Sequence, residues 1–248
     1  MRIALIGFGK MGRTIHDLLP YKGISCSNIV TRDSDVDKLP FHEIDLFLDF
    51  SSPHGLLNRV EAISFHKKPF IIGTTGWEEM REQVFGTIER NKSTLLWAPN
   101  FSIGVALHSK VCQYAAQLFS SFPDFDVGIF ERHHRQKADH PSGTAYHLSE
   151  ILLEAFPLKS AALSNLPQGR IEPNQLHVSY QRVGSTPGYH EVLFENATDT
   201  VKISHHTSSR AAQAQGALEA ALWVYDRRGI YDFMDMLSDR LEGPREGG

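Results

Sequence analysis

Short apolar runs alternate with helical patterns over the first hundred positions of the chain. The apolar runs predict strands at Arg2–Ile6, Ile24–Val30, Asp45–Phe50, Pro69–Ile72 and Thr94–Trp97. Helical patterns lie between several of them, at about Lys10–Leu19, Pro53–His66 and Trp77–Arg90. Nearly continuous apolar strands separated by helices are typical of a parallel sheet with both faces covered. Right-handed connections then give a doubly wound sheet, with its ligand crevice beyond the C-terminal ends of the strands.

The pattern changes after about Ser102 and indicates an α+β arrangement. Helices are predicted near Val105–Ser120 and Thr144–Phe156, with a strand at Phe125–Glu131 between them. Residues Ser160–Asn174 contain proline, glycine and asparagine and predict an exposed, mobile loop. Strand-like runs follow at Leu176–Val183, His190–Glu195 and Thr200–Ser204. A period of two in the first of these runs indicates a mixed or antiparallel sheet with one face in water.

The C-terminal part of the chain is expected to return to the first domain. Residues Ser209–Arg227 predict an amphipathic helix that packs on that domain. Its predicted apolar face consists of Ala214, Leu218, Ala221, Leu222 and Tyr225. The first domain is then discontinuous, with residues 1–102 and 211–248, and the second domain covers 103–210. The tail Glu242–Gly248 has nothing to bury and is expected to be disordered.

Composition excludes several classes of protein. Of the 248 residues, 41% are hydrophobic and 22% are charged, as in soluble globular proteins. The formal net charge of −4 leaves no basic footprint for nucleic acid or a membrane surface. A run of about 18 apolar residues, as a membrane span needs, is missing, and the first glycine, Gly7, comes too early for a signal peptide.

The cysteines and histidines bear on the compartment and on metal binding. The chain has 2 cysteines, Cys26 and Cys112, which do not form a disulfide framework and are expected to be free thiols. A reducing, cytoplasmic setting follows. Although there are 13 histidines, neither HExxH nor a His/Cys ligand spacing occurs, so we expect no metal.

The loop after the first predicted strand reads Gly7-Phe8-Gly9-Lys10-Met11-Gly12. This sequence matches G-x-G-x-x-G, and its position between a strand and a helix is typical of dinucleotide binding. Gly7 and Gly9 allow a tight turn close to the pyrophosphate, and Gly12 allows close packing of helix and strand. The anion would lie on free N–H groups at the positive end of the helix.

Three further segments are expected to contact the cofactor. After the second strand, Thr31 stands where an acid would bind the ribose hydroxyls of NAD, and Arg32 leaves room for the 2′-phosphate of NADP. This pair favours NADPH, with NADH also usable, although Asp33 or Asp35 could supply the acid. The loops after the fourth and fifth strands either contact the cofactor or are plain turns, and their residues are Gly73, Thr74, Thr75, Ala98, Pro99, Asn100 and Phe101.

The segment Glu131–Ala145 has the richest chemistry in the chain. It contains adjacent imidazoles at His133 and His134, then Lys137, then the turn Ser142-Gly143-Thr144 behind a proline. A helix start of this kind can bind a carboxylate, and Lys137 can give a proton or hold an anion. The alternative is a solvated basic loop followed by a helix with Ser142 as its N-cap. Asp139 would cap or orient the turn.

With these motifs the chain resembles the dihydrodipicolinate reductase family, also called 4-hydroxy-tetrahydrodipicolinate reductase, of the lysine and diaminopimelate pathway. The family motif E-x-H-H-x-x-K-x-D-x-P-S-G-T-A is reproduced in full at Glu131–Ala145. Further matching segments are Gly7–Arg13, Asp49–Ser51 with Pro53 and Gly55, Gly73–Gly76, Asn100–Val105, Arg182–Gly184, Gly188–His190, Ile203–His205 and Ser208–Arg210.

The resemblance implies hydride transfer from NADPH or NADH to a cyclic imino dicarboxylate, with loss of water, giving tetrahydrodipicolinate. It implies that His133 and Lys137 are the acid/base pair and that Lys137 gives the proton. His134, Lys137, Gly143 and Thr144 would hold the substrate, with help from Ser142. Thr31 and Pro99 depart from residues common in the family, and Thr31 argues against a strict NADH preference.

The resemblance also implies the domain roles. It implies an α/β protein with an N-terminal Rossmann-like dinucleotide-binding domain and an α+β substrate-binding and oligomerisation domain. Hinges are expected near Phe101–Gly104 and Arg210, and members of the family are usually homotetramers. Two alternatives stay open: another NAD(P)-dependent dehydrogenase of a small amino or imino acid, and a catalytically silent NAD(P)-binding protein.

Overall fold

A computed structural model describes residues 1–32, 34–165 and 169–243. The chain divides into two compact units. One contains Met1–Ile103 and the segment from Arg210 onward, and the other contains Gly104–Ser209. These limits differ by one residue from the domain limits expected from the sequence. In the described ranges, no helix has the length and apolar character needed to span a bilayer.

The first unit is built on a parallel sheet. Its strands are β1 (Arg2–Ile6), β2 (Ser25–Val30), β3 (Leu46–Asp49), β4 (Phe70–Ile72), β5 (Thr94–Trp97) and β11 (Gly229–Asp232). They lie in the order β11-β5-β4-β3-β1-β2, and every neighbouring pair is parallel. The helices are α1 (Lys10–Leu18), α2 (Leu56–Phe65), α3 (Arg81–Arg90), α6 (Ala211–Val224) and α7 (Phe233–Glu242).

The central strands of this sheet are buried on both faces. Every residue of β3 and β4 is buried, because both faces are covered, as expected for a doubly wound sheet. Burying one Leu, Ile or Phe side chain contributes roughly 1.5–3 kcal/mol, so these strands anchor the loops at their C-terminal ends. The predicted Rossmann-like class is confirmed.

The C-terminal segment differs from the sequence expectation in two ways. α6 lies against α1, but it buries small residues such as Gly216 and Ala217, whereas Leu222 and Tyr225 are 45% and 38% exposed. The predicted apolar face was therefore wrong at Leu222 and Tyr225. β11 and α7 were not predicted, because β11 is short and has no alternation. The sequence signal for α7 was its capping box, which is formed by Asp232 and Asp235.

The tail Glu242–Gly248, which is expected to be disordered, lies only partly within the described residues. Its first residue, Glu242, ends α7. Residues 244–248 lie outside the described residues.

The second unit is a mixed sheet covered by helices. Its strands are β6 (Asp126–His133), β7 (Ala161–Leu163), β8 (Gln175–Arg182), β9 (Gly188–Glu195) and β10 (Thr200–Thr207). They lie in the order β10-β9-β6-β8-β7. β10 and β9 pair antiparallel, as do β9 and β6, whereas β6, β8 and β7 are parallel. Its helices are α4 (Ile103–Phe119) and α5 (Gly143–Ala155).

β6 shows how this unit positions its chemistry. From Val127 onward its residues alternate between buried and half-buried, and Val127 and Ile129 enter the core beside apolar residues of α4 and α5. Because side chains two apart share a face of a strand, Glu131 and His133 continue the same buried row. The end of the core face therefore carries a carboxylate and an imidazole.

The segment Ser160–Asn174 is largely exposed in its described part, as predicted, but it is not without regular structure. It contains β7, and the buried Lys159 beside it donates hydrogen bonds to the carbonyls of Pro173 and Gln175 at 2.8 and 2.9 Å. The Lys159 ammonium also lies 2.5 Å from Asp126 Oδ1. The lysine therefore anchors the start and end of this segment, while residues 166–168 lie outside the described residues.

Candidate active site

The loop between β1 and α1 has the close packing that a dinucleotide turn needs. Gly7 has a φ of +87°, and a Cβ there would lie 2.7 Å from the carbonyl oxygen of Phe50. A Cβ on Gly12 would lie 2.1 Å from the Gly7 carbonyl oxygen. Gly9 is the N-cap of α1, and no atom of the described residues would lie within 4 Å of a Cβ placed on it. Two glycines are therefore required by packing, while Gly9 leaves open space at the positive end of a helix, which fits a pyrophosphate.

The other residues of the fingerprint surround this turn. Phe8 packs edge-on against His16, and Lys10 is exposed in the first turn of α1 with the half-buried Met11 beside it. After β2, Thr31 and Arg32 are exposed. Asp35 pairs with Lys38 at 3.1 Å. Asp33 lies outside the described residues.

A buried carboxylate ties together the loops after β3 and β4. Asp49 is fully buried and accepts hydrogen bonds from Arg59 Nε at 2.7 Å and Thr74 Oγ1 at 2.8 Å. Ser51 donates to it through both its backbone N–H and its hydroxyl, at 3.0 and 2.5 Å. The hydroxyl of Thr74 is thus used inside the protein, while Thr75 is exposed. A Cβ on Gly73 would lie 2.1 Å from the Phe50 ring.

The loop after β5 adjoins the loop after β4. Thr75 and Pro99 line a common small pocket together with Trp97. Ala98 is nearly buried and donates its N–H to Ile72 O at 3.2 Å, and Asn100 Oδ1 accepts from Ser102 N at 2.9 Å.

Phe101 differs from the rest of this loop. Its ring is 1% exposed and packs against Phe50 and Phe233, with ring centroids 5.7 and 5.1 Å away. The Phe101 ring is therefore part of the core, and a cofactor contact at this position has to come from its backbone.

In the second unit, Glu131 lies at the centre of a polar cluster. Its Oε1 accepts hydrogen bonds from the N–H of Ser142 at 3.0 Å and from Arg182 Nη2 at 2.7 Å. Its Oε2 lies 3.4 Å from His133 Nδ1 and 3.5 Å from His190 Nε2. The carboxylate is fully buried, and the two histidines are 6% and 3% exposed.

The environment shifts the pKa of both Glu131 and His133. Burial raises the pKa of Glu131, but His190, Ser142 and Arg182 stabilise its charged form and lower the pKa to about 2. Burial lowers the pKa of His133 to about 4, and the charges of His190, Lys137 and Arg182 add to that effect against the opposing Glu131. The site therefore holds an ionised carboxylate beside a neutral imidazole at neutral pH.

Lys137 lies in the turn that follows β6 and is paired with a carboxylate. Its Nζ is 2.8 Å from Asp139 Oδ1, and its side chain is 23% exposed. Asp139 also accepts from Arg182 through its backbone carbonyl at 2.8 Å. Burial raises the pKa of Asp139, but its bond to Lys137 outweighs this effect and lowers it. Asp139 therefore orients the turn, as expected from the sequence.

The predicted anion-binding turn starts α5. Ser142 is the N-cap, and its hydroxyl accepts from Ala145 N at 3.2 Å and lies 3.1 Å from His190 Nε2. The Ser142 side chain is thus used to build the turn. Gly143 is exposed, and a Cβ placed on it would have open space around it among the described residues. Thr144 is half-buried. The ring of His134 is half-buried, and its buried Nδ1 has no hydrogen-bond partner in the part of the chain that the structure describes.

One group could be considered for a metal. Within the described ranges, Glu131, His133 and His190 bring donor atoms within 4.8 Å of one another. Arg182 already holds the same carboxylate, and a guanidinium next to the site disfavours a cation. We assign no ligand role to these residues, and the absence of a metal stays a prediction.

Sequence reasoning missed the residues that organise each site. The sequence motifs include Asp49 and Glu131 but predict no role for them. They also predict no role for Arg59, Arg182 or His190. The available signal was polarity in otherwise apolar strands: Asp49 ends the buried run of β3, and Glu131 follows the apolar residues Val127 and Ile129 on the buried face of β6. A buried charge has to be paired, so each predicts a nearby basic partner.

The two units together define a class of protein. The first unit has the turn of a dinucleotide-binding domain. The second unit has a proton-carrying side chain beside a helix start that can bind an anion. Together these are the parts of a nicotinamide-dependent oxidoreductase of an anionic substrate. Residues 1–101 match the family described as "Dihydrodipicolinate reductase, N-terminus", and residues 104–237 match "Dihydrodipicolinate reductase, C-terminus". The chain belongs to the dihydrodipicolinate reductase family, and the protein is an NAD(P)H-dependent oxidoreductase.

Individual relatives agree with this assignment. The chain is 32% identical over 241 residues to 4-hydroxy-tetrahydrodipicolinate reductase of Christiangramia forsetii, covering 96% of this chain and 98% of the relative. It is 35% identical over 201 residues to the enzyme of the same name from Herminiimonas arsenicoxydans, covering 79% and 74%. The first of these alignments spans nearly the whole of both proteins.

Solved structures show the same fold. Dipicolinate-bound dihydrodipicolinate reductase from Paenisporosarcina sp. TG-14 matches with a TM-score of 0.75 at 23% identity, over 94% of this chain and 97% of that chain. A myo-inositol dehydrogenase from Corynebacterium glutamicum matches with a TM-score of 0.57 at 13% identity, over 96% and 92%. The architecture is therefore shared with other dehydrogenases.

Proposed function

We propose that this protein reduces 4-hydroxy-tetrahydrodipicolinate to tetrahydrodipicolinate, with NADPH or NADH as the hydride donor, in lysine and diaminopimelate synthesis. The observation that carries the proposal is the complete Glu131–Ala145 motif, folded so that Glu131 contacts both the His133 ring and the start of α5. The reaction balances as one hydride and one proton taken up, with the hydroxyl group leaving as water. Both curated relatives described above carry this activity in their names.

The cofactor's place is supported by the glycine loop. When bound, NAD(P)H supplies the hydride. Gly7, Gly9 and Gly12 would admit its pyrophosphate to the start of α1, with Phe8, Lys10 and Met11 around it. Arg32 would face the adenosine ribose and contact the 2′-phosphate of NADPH, because a guanidinium pairs well with phosphate. Thr75 and the backbone near Ala98–Phe101 would face the nicotinamide end.

The substrate's place is supported by the second unit. A dicarboxylate would bind the N–H groups of Gly143 and Thr144 at the start of α5, together with His134 and the Lys137 side chain. Charge-assisted hydrogen bonds contribute roughly 1.5–3 kcal/mol each. Lys137 would give the proton, and the neutral His133 would act as its acid/base partner. Approach of a dianion would raise the pKa of His133 from its low value.

The test is a reductase assay on freshly made substrate, following loss of NADPH or NADH absorbance. We expect turnover with both cofactors and a higher kcat/KM with NADPH. Arg32→Ala is expected to raise KM for NADPH several-fold and to leave KM for NADH unchanged. Turnover of an α-keto acid with ammonia, and none of the cyclic imine, would assign the chain to a different dehydrogenase.

We also propose a homotetramer in the cytoplasm. The sheet face opposite the core bears Phe130 against Tyr189, with ring centroids 6.1 Å apart, and Arg132 over the Tyr189 ring. Such a face suits association between copies of the second unit. The free thiols Cys26 and Cys112 agree with a reducing compartment. Light scattering of the purified protein tests the tetramer, with Phe130→Lys expected to give smaller species, and cell fractionation tests the location.

A further inference from the structure

The two oxygens of Glu131 have unequal surroundings. Oε1 accepts from Ser142 N and from Arg182, as a buried carboxylate oxygen normally does. Among the described residues Oε2 has no hydrogen-bond partner; it is buried between two imidazoles, 3.4 Å from His133 Nδ1 and 3.5 Å from His190 Nε2. Most buried polar atoms are hydrogen-bonded. An oxygen left open toward two rings therefore needs an explanation beyond packing.

Stability alone does not account for a carboxylate at this position. The preceding inward residues of β6, Val127 and Ile129, are apolar, and an apolar residue at 131 would extend their row. Burying a charge costs several kcal/mol before any pairing, and well-packed apolar replacements of buried ion pairs are often as stable. The advantage of Glu131 has to lie in what it holds in place.

The strand register shows what that is. Glu131 lies opposite His190 of β9, and His133 lies opposite Arg182 of β8. Gly188 leaves room for the His133 ring, since a Cβ there would lie 3.2 Å from its Nε2. Ser142, which starts α5, donates its N–H to the same carboxylate. Glu131 thus connects three strands of the sheet with the start of the helix.

We propose that Glu131 is a positioning residue, which fixes the His133 ring and the start of α5 relative to each other for the reaction. The inference rests on the proposed function for its catalytic meaning. Because Oε2 faces Nδ1, the carboxylate favours the tautomer with the proton on Nδ1 and leaves the lone pair on Nε2. His133 can then take a proton at Nε2, and Glu131 stabilises the resulting imidazolium.

Glu131→Gln tests this role because it keeps the shape and removes the charge. The amide oxygen can still accept from Ser142 and Arg182, but the NH₂ group would face His133 Nδ1 and favour the other tautomer. We expect kcat to fall about 10- to 100-fold, as for other residues that orient a functional imidazole. KM for NADPH should not change. Glu131→Asp, which keeps the charge, should recover part of the rate.

The pH profile separates positioning from general damage. The charged and titratable groups that face His133 are Glu131 on its own strand, His190 and Arg182 on the neighbouring strands, and Lys137 in the following turn. In Glu131→Gln the neutral amide no longer stabilises the imidazolium, so the acid limb of kcat should move to lower pH. The matched control is Glu195→Gln, an exposed position of the same sheet, and it should change neither kcat nor the profile.

A measurement on the unaltered protein completes the test. Nitrogen-15 NMR of the histidine rings reports the tautomer directly, and we expect His133 to carry its proton on Nδ1. A proton on His133 Nε2 would overturn the proposal, and so would a loss of rate in Glu131→Gln without a shift of the acid limb. If Glu131→Gln does not fold, the tautomer of His133 in the unaltered protein decides whether the proposal stands. If the unaltered protein fails to turn over the cyclic imine, the proposed function fails, while the tautomer still decides the positioning role.

Discussion

Lys137 Nζ lies 2.8 Å from Asp139 Oδ1, two residues further along the same turn. The amine proposed to give the proton is therefore paired with a neighbouring carboxylate. Asp139 is 56% exposed, so the pair is open to solvent on one side. A substrate carboxylate can replace Asp139 as the partner of Lys137, because exposed ion pairs are worth only about 1 kcal/mol or less.

Lys137→Ala is expected to lower kcat by about two to four orders of magnitude, as for loss of a general acid. NADPH binding, measured by fluorescence, should stay unchanged. Lys137→Arg separates substrate binding from proton transfer, since a guanidinium keeps the charge but does not release a proton. In this variant KM for the substrate should stay near that of the unaltered protein, while kcat should be low. Asp139→Asn is the control, because it removes the partner carboxylate and keeps the Lys137 amine. Near-normal turnover of Lys137→Ala would refute the assignment.

The glycines of the first loop predict two different kinds of defect. Gly12→Ala places a methyl 2.1 Å from the Gly7 carbonyl oxygen, so the α1–β1 packing has to shift, and we expect a lower thermal midpoint. Gly9→Ala meets nothing within 4 Å and should fold normally, but its methyl would occupy the cofactor's space and weaken NADPH binding at least tenfold. Gly86→Ala, in α3 with open space around it, is the control for both effects. Normal NADPH affinity in Gly9→Ala would contradict the proposed cofactor site.

Asp49 is expected to support both stability and cofactor binding. Asp49→Asn leaves the Arg59 guanidinium, whose side chain is 11% exposed, without its counter-charge. Breaking a buried pair in this way costs about 3–5 kcal/mol, and the loops held by Ser51 and Thr74 lose their anchor. Urea unfolding should show the loss of stability, and NADPH titration should show weaker binding. Asp45→Asn, which breaks the more exposed pair with Arg2, should cost less than about 1 kcal/mol.

The sequence was sufficient for features that depend on local pattern, and insufficient for those that depend on distant pairing. Periodicity located β1 and its glycine turn to the residue, because strand, turn and helix are adjacent in the chain. The N-cap at Ser142, which only the alternative interpretation of the motif expected, depends on local pattern in the same way. The pairing of Glu131 with Arg182 spans 51 positions and depends on β6 and β8 being neighbours. Without strand order, a buried Glu indicates that a basic partner exists, but not which one.

Metal removal tests the expectation of a metal-free enzyme. Glu131, His133 and His190 bring donor atoms close together, yet the proposed chemistry needs only proton carriers and a hydride donor. We expect exhaustive dialysis against a chelator, followed by assay in chelator-containing buffer, to leave kcat unchanged. Activity that is lost on dialysis and restored by added zinc would assign this cluster to a metal instead.

Acid should weaken the protein in two successive pH windows. The pKa of His133 lies at about 4 instead of its usual 6.5, because burial disfavours its charged form. The unfolded chain therefore binds this proton first, and stability falls as the pH drops from about 6.5 to about 4. The pKa of Glu131 is lowered from 4.5 to about 2, so its contribution, complete above pH 4.5, is lost as the pH falls toward 2.

His133→Gln should reduce the loss of stability in the upper window and leave the lower window unchanged. Because one pKa unit corresponds to about 1.4 kcal/mol, His133 accounts for a loss on the order of 3 kcal/mol between neutral pH and pH 4. The pKa values of His108 and His205 are also lowered, chiefly by burial, so some acid sensitivity in this range remains in the variant. Urea unfolding at closely spaced pH values gives both curves, and their difference isolates His133. A constant difference from pH 7 to pH 4 would mean that His133 titrates near its usual value in the folded protein, and the neutral imidazole proposed for the resting site would be wrong.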